Sequence, residues 1–176
     1  MNLSRLFKPR PAALAGRRLY ASASAQARQA AFYASMGAPD TVEGRFELYT
    51  LHVALVLRRL KGQGPQAVET AQGLFDAYVK ALDDALREMG VGDLSVGKKM
   101  RKLGEAFYGR VKNYDEALAA LPDKALLAAI IGRTILMGEA DADAGPMVNY
   151  ATAAMAGLEA QPLEALLQGD ATWPNP

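Results

Sequence analysis

The side chains able to do chemistry are few. His52 is the only histidine and there is no cysteine. Thiol nucleophiles, disulfides, thiolate metal sites and multi-histidine metal centres are therefore excluded. A Ser-His-Asp triad would have to use His52, and no G-x-S-x-G, G-x-x-x-x-G-K-[ST] or G-x-G-x-x-G motif accompanies it. The paired carboxylates Asp83-Asp84 and Asp115-Glu116 lie on helical patterns, where sequence neighbours point apart and do not form an acid/base dyad. Glu139, Asp141 and Asp143 offer oxygen ligands for a hard cation, but no Glu follows at EF-hand spacing. His52 stands one turn from Leu48 and Val56 and reads as a satisfied core or interface residue. It is also the one conventional nitrogen ligand for a haem iron, and a single such residue implies no cofactor. Nothing here points to catalysis.

The cations are more informative. Lys98, Lys99, Arg101 and Lys102 surround Met100, which belongs to an apolar stripe, so the four charges fan out over the solvent face of a helix. Cations near a helix N-terminus oppose its dipole, which makes a purely structural role less comfortable. Such a fan suits a phosphate-rich or lipid partner. Phe107 and Tyr108 follow, but they do not make the spaced stacking platform that single strands need. Arg58, Arg59 and Lys61 form a second basic group. Arg133 sits alone in an apolar helix, either snorkelling, paired with a carboxylate, or touching a partner. The net charge of +1 hides a division along the chain: residues 1–39 carry Arg5, Lys8, Arg10, Arg17, Arg18 and Arg28 and no acid. From Glu139 onward there are six acids and no Lys or Arg. That asymmetry favours an anionic partner, either a membrane surface or RNA.

These residues are positioned by helices throughout. At 176 residues, 51% hydrophobic and 22% charged, the chain can bury a core and is not disordered. No run of alternating β-branched residues reads as a strand. The expected fold is all-α: a single irregular bundle of six to seven helices around an apolar central helix. The first helix is expected over 16–36 and is broken by Gly37-Ala38-Pro39. Asp40 and Glu43 have capping-box spacing ahead of the next. That helix, from about Thr41 to Lys61, is apolar on nearly all sides, with Glu47, Ala54, Arg58 and Lys61 as its polar stripe. A helix of this kind sits at a bundle's centre.

Gly62-Gln63-Gly64-Pro65 stops one helix and starts the next. The third helix is striped by Val68, Phe75, Tyr78, Leu82, Leu86 and Met89, with Asp76–Lys80 and Lys80–Asp84 pairs on its far side. A loop over 90–95 precedes a fourth helix that ends at Pro122. A short apolar helix is expected over 123–138. Pro146 opens another to about Ala160, and Pro162 a last short one. By segment, 1–38 is a basic, partly helical N-terminal stretch, 39–170 the all-α domain, and 171–176 a frayed tail.

No stretch approaches the ~18–20 apolar residues of a membrane span, and the start lacks the apolar region of a secretory signal. The expected location is cytoplasmic. Leu3, Leu6 and Phe7 set against Arg5 and Lys8 could form a weak amphipathic contact with a membrane.

The joined motifs Met89-Gly90-Val91, Lys98-Lys99-Met100, Phe107-Tyr108-Gly109-Arg110 and Tyr114-Asp115-Glu116-Ala117-Leu118 follow Phe46-Glu47-Leu48-Tyr49-Thr50-Leu51-His52. Over residues 40–135 this combination resembles the ubiquinol–cytochrome c chaperone family, assembly factors of respiratory complex III. The absence of a long leader before the domain suggests a bacterial member. The resemblance implies a helical, non-enzymatic protein that holds newly made cytochrome b at the inner face of the membrane. It also implies a ribosome contact near the exit tunnel and a small helical partner protein. The residues carried over as partner- or client-binding are Arg58, Arg59, Lys98, Lys99, Arg101, Lys102, Phe107, Tyr108, Tyr114 and Arg133. The competing expectations are an RNA- or ribosome-binding adaptor that uses the Lys98–Lys102 cluster, and an enzyme with perturbed acids in an enclosed pocket.

Overall fold

Small residues let two helices touch backbone to backbone, and that contact organises one side of the molecule. In α1 (Pro11–Ala27), Ala12, Ala15, Gly16, Leu19 and Ala23 form one buried face. It lies on Ala67, Thr70, Gly73 and Leu74 of α4 (Pro65–Glu88). A Cβ at Gly16 would stand 2.3 Å from the Leu74 nitrogen, and one at Gly73 would stand 2.8 Å from the Ala13 Cα. Only glycine fits at either place. The computed structural model describes residues 11–139 and 142–176. The amphipathic start around Leu3–Lys8, and Asp141 of the acidic turn, lie outside the described residues.

Eight helices make up the described residues. Besides α1 and α4 these are α2 (Ala30–Ala34), α3 (Val42–Leu60), α5 (Asp93–Ala119), α6 (Ala125–Thr134), α7 (Gly145–Ala160) and α8 (Leu163–Gln168). The all-α class and the central helix are as expected. α3 packs against α1, α4, α5 and α7, and Leu48, Leu51, Val53, Leu55, Val56 and Leu60 are all buried. Its enclosure goes further than the sequence implied. Most of the expected polar stripe also faces protein: Ala54 and Glu47 are buried and Arg58 reaches α5, while Lys61 stays exposed at the helix's end. None of the described helices is long and apolar enough to cross a membrane.

Several boundaries differ from the sequence reading. The segment expected as one helix over 16–36 is two, because the chain turns at Arg28-Gln29, where the Tyr33 hydroxyl donates to the Ala27 carbonyl at 3.0 Å. Neither Gly nor Pro marks this break. Thr41, not Asp40, caps α3: its Oγ1 accepts the Gly44 N–H at 3.1 Å, while Asp40 pairs with Arg45 at 2.7 Å. α5 begins at Asp93 rather than after Ser95, so an acid occupies its first turn and offsets part of the dipole cost of the cations that follow.

Residues 11–38 are not a separate unit, since α1 is packed into the bundle. Nor is the tail frayed. Trp173 Nε1 donates to Ser22 Oγ at 2.9 Å, and Gln26 Nε2 donates to the Pro174 carbonyl at 2.9 Å. An indole that finds both an apolar wall and an acceptor is held, whatever its distance from the end of the chain.

Candidate functional site

Two polar networks hold the interior among the described residues. In the first, His52 is fully buried on α3. Its Nδ1–H donates to the Leu48 carbonyl at 2.8 Å, which fixes the tautomer, and Nε2 accepts the Tyr150 hydroxyl at 2.8 Å. Gln26 Nε2 donates in turn to Tyr150 Oη at 3.0 Å. Phe32 and Trp173 stand edge-on to the imidazole. Burial pushes the His52 pKa down from 6.5 to about 4, so the ring is neutral at physiological pH. The structure places it as the satisfied core histidine read from the sequence.

In the second network Arg110 of α5 clamps Glu47 of α3. Nε reaches Oε2 at 2.9 Å and Nη2 reaches Oε1 at 2.9 Å, with the glutamate side chain only 9% exposed. This bidentate pair joins two of the resemblance motifs. The hydroxyl pair Thr50–Tyr78, at 2.8 Å, and Tyr114 beside Thr134 lie in the same interior. Burial raises the Tyr78 and Tyr114 phenols well above their ordinary value.

Four of the expected partner residues turn out to be internal ties. Arg58 donates to the Asp115 carbonyl at 3.0 Å and pairs with its carboxylate, which Lys61 also meets at 2.7 Å. Arg59 donates to the carbonyls of Leu158 and Gln161 at the end of α7. Phe107 is buried against Tyr78 and Phe75, and Tyr114 is buried as well. Sequence spacing alone does not show that Asp115 and the α7 carbonyls lie opposite these arginines. Arg133 is exposed at the end of α6 and makes no ion pair with a described residue.

The other five residues lie together on one feature. α4 and α5 form a helical hairpin whose far half leaves the bundle. Between Val79 and Ala106 only Leu86 and Val96 are buried, and these two stand outside the main core. The hairpin has two unlike faces. Between its helices runs a groove of ≈ 730 Å³ with an apolar floor of Phe75, Val79, Val96 and Met100. Gly97 lines it too, with nothing within 4 Å of where a Cβ would be. The rim on the α4 side is charged but internally matched. Lys80 holds Asp84 at 2.6 Å, and Arg87 pairs with Asp83 and Asp93. Asp76 accepts from Gln72 instead of pairing with Lys80.

The outer face of α5 is different. Lys98, Lys99, Arg101 and Lys102 are all exposed, with no ion pair among the described residues. Tyr108 is 63% exposed beside Phe75 and Phe107. Leu94, at the tip, is fully exposed at 102%, and Met89 before the turn is half exposed. The sequence reading placed Val68 and Met89 on a buried stripe. Both are exposed, because α4 turns its small residues to α1 and sets Phe75, Tyr78 and Val79 toward Phe107 of α5 or the groove. The arrangement offers an apolar trough and a basic surface, which can bind and position a partner.

Comparison with known proteins gives a consistent picture. A family model described as ubiquinol-cytochrome C chaperone matches residues 34–173. The chain is 26% identical over 110 residues to ubiquinol-cytochrome-c reductase complex assembly factor 1 of Xenopus laevis, covering 62% of this chain. It spans about half the length of that relative (54%). It is similar to the crystal structure of the Cbp3 homolog from Brucella abortus, with a TM-score of 0.84 and 38% identity over 92% of this chain and 90% of that one.

Proposed function

Because the chain belongs to the ubiquinol-cytochrome C chaperone family, we propose that it is an assembly factor for ubiquinol-cytochrome c reductase, one that holds newly made cytochrome b at the inner face of the membrane. The observation that carries this reading is the likeness of nearly the whole bundle to the Cbp3 homolog at 38% identity. The hairpin supplies a physical means. An apolar helix in water needs its surface covered, and the Phe75–Val79–Met100 trough offers half-covered apolar side chains at helical spacing, the helix-in-groove mode of recognition. Each 100 Å² of apolar surface removed from water on both sides is worth about 2.5 kcal/mol before ordering costs. A trough of this size therefore holds a segment reversibly, as a holding protein must. The role is non-enzymatic: the chain binds its client and releases it unchanged.

The test is recovery of cytochrome b. Tagged protein purified in mild detergent from membranes of its own cell is expected to carry apo-cytochrome b well above other membrane proteins. The Val79→Asp variant is expected to lose it while keeping its helical circular dichroism. Deletion of the gene is expected to lower ubiquinol-cytochrome c reductase and spare the other respiratory complexes. An equal fall in all complexes, or no enrichment of cytochrome b, refutes the reading.

A further inference from the structure

We propose that the outer face of α5 is a docking surface for an anionic lipid bilayer, with Leu94 as its inserting residue. Leu94, Lys98, Arg101 and Lys102 fall at i, i+4, i+7 and i+8, one face of a helix, and Lys99 flanks them. All are exposed; Glu105, at i+11 on the same face, is the only acid between Asp93 and Asp115, so four cations stand against one carboxylate there. The charge is therefore not a by-product of local pairing. On α4, across the same hairpin, Lys80 and Arg87 are matched by Asp84, Asp83 and Asp93, whereas Lys98, Lys99, Arg101 and Lys102 of α5 have no ion pair among the described residues.

The leucine decides the kind of anion. A fully exposed Leu at a projecting tip, with half-exposed Met89 beside the turn, gains nothing from a phosphate backbone. RNA would reward spaced aromatic rings, and the only exposed aromatic on α5 is Tyr108, about 21 Å further along the helix. A lipid interface rewards this combination, since cations meet the headgroup charge while an apolar side chain enters the acyl boundary. The hairpin stands away from the bundle core, so this face reaches a flat surface without unfolding anything. Its purpose fits the reading above, because it would set the trough beside the membrane where a client emerges. Its test is independent of any client.

The experiment is sedimentation of the full chain with vesicles of phosphatidylcholine alone and of phosphatidylcholine mixed with phosphatidylglycerol. Binding is expected only to the anionic vesicles. Lys98→Ser with Lys102→Ser is expected to weaken it about thirtyfold, and Leu94→Ser about tenfold at unchanged charge. Because the chain has no cysteine, Leu94→Cys accepts a single environment-sensitive dye, expected to shift to the blue with anionic vesicles only. Equal binding to both vesicle types, or a Leu94→Ser protein that binds as well as the parent, overturns the proposal. So does a dye that stays in water. Tight, salt-steep binding to RNA that Leu94→Ser leaves intact would assign the face to RNA and also overturn it. The vesicles contain no protein, so none of these outcomes bears on cytochrome b.

Discussion

The bundle body and the α4–α5 arm treat the same residue types in opposite ways. In the body, two glycines stand where helices touch: Gly16 and Gly73 leave no room for a methyl group. In the arm, Gly97 and Gly104 have nothing within 4 Å of a Cβ position. Arg58, Arg59 and Arg110 of the body are spent on carbonyls and carboxylates. On the outer face of the arm the cations have no ion pair among the described residues. Stability is concentrated where groups are satisfied, and the capacity to bind resides where they are not.

The contrast predicts a graded set of responses. The largest belongs to Arg110→Ala, which strands the enclosed Glu47 carboxylate and should cost about 3–5 kcal/mol in chemical denaturation. The double variant Glu47→Gln with Arg110→Met should recover most of that loss. If the double variant is as unstable as the single one, the ion pair is not the cause.

Next is acid. The His52 pKa, about 4 when folded against 6.5 when unfolded, means the unfolded chain binds the extra proton between those values. Stability should therefore be full above pH 6.5 and fall as pH drops toward 4, by about 3 kcal/mol in all. His52→Gln should flatten that part of the profile, and an unchanged profile would show that another group titrates there.

A third pair uses one substitution in two places. Gly16→Ala drives a methyl into the α4 backbone and should cost about 2–3 kcal/mol. Gly104→Ala removes a flexible residue from a helix interior with space to spare and should stabilise by about 0.5–1 kcal/mol. Melting temperatures that move the same way would erase the distinction between body and arm. The smallest effect is expected at Arg101→Ala, within about 0.5 kcal/mol by the same measurement. A larger loss would mean that the cation is bound internally after all.

Much of the fold is legible in the sequence because its punctuation is strong. Gly62–Pro65, Pro146 and Pro162 mark helix starts to within a residue or two, and the all-round apolar pattern of 46–60 identifies the central helix. What escapes is non-local. The Glu47–Arg110 clamp spans 63 residues, and a glutamate on a helix looks solvated until its partner is found. The same is true of Arg58 and Arg59, whose acceptors are a carboxylate and main-chain carbonyls elsewhere in the chain. The turn at Arg28-Gln29 has no breaker residue. The basic cluster and Tyr108 are legible as a surface, because five polar or aromatic positions on one short segment have few places to hide. The groove beside them was not foreseen, since it depends on how far α4 and α5 diverge.

The strap formed by Trp173 on Ser22 closes 151 residues of chain. During synthesis at about 5–20 residues per second, α1 waits about 8–30 seconds for that indole to be made. Over that interval the edge-on indole over His52 is missing, however early α1 meets α4. The last part of this core to assemble is therefore set by the pace of translation, and a chain halted before Trp173 would leave the edge of His52 open to water.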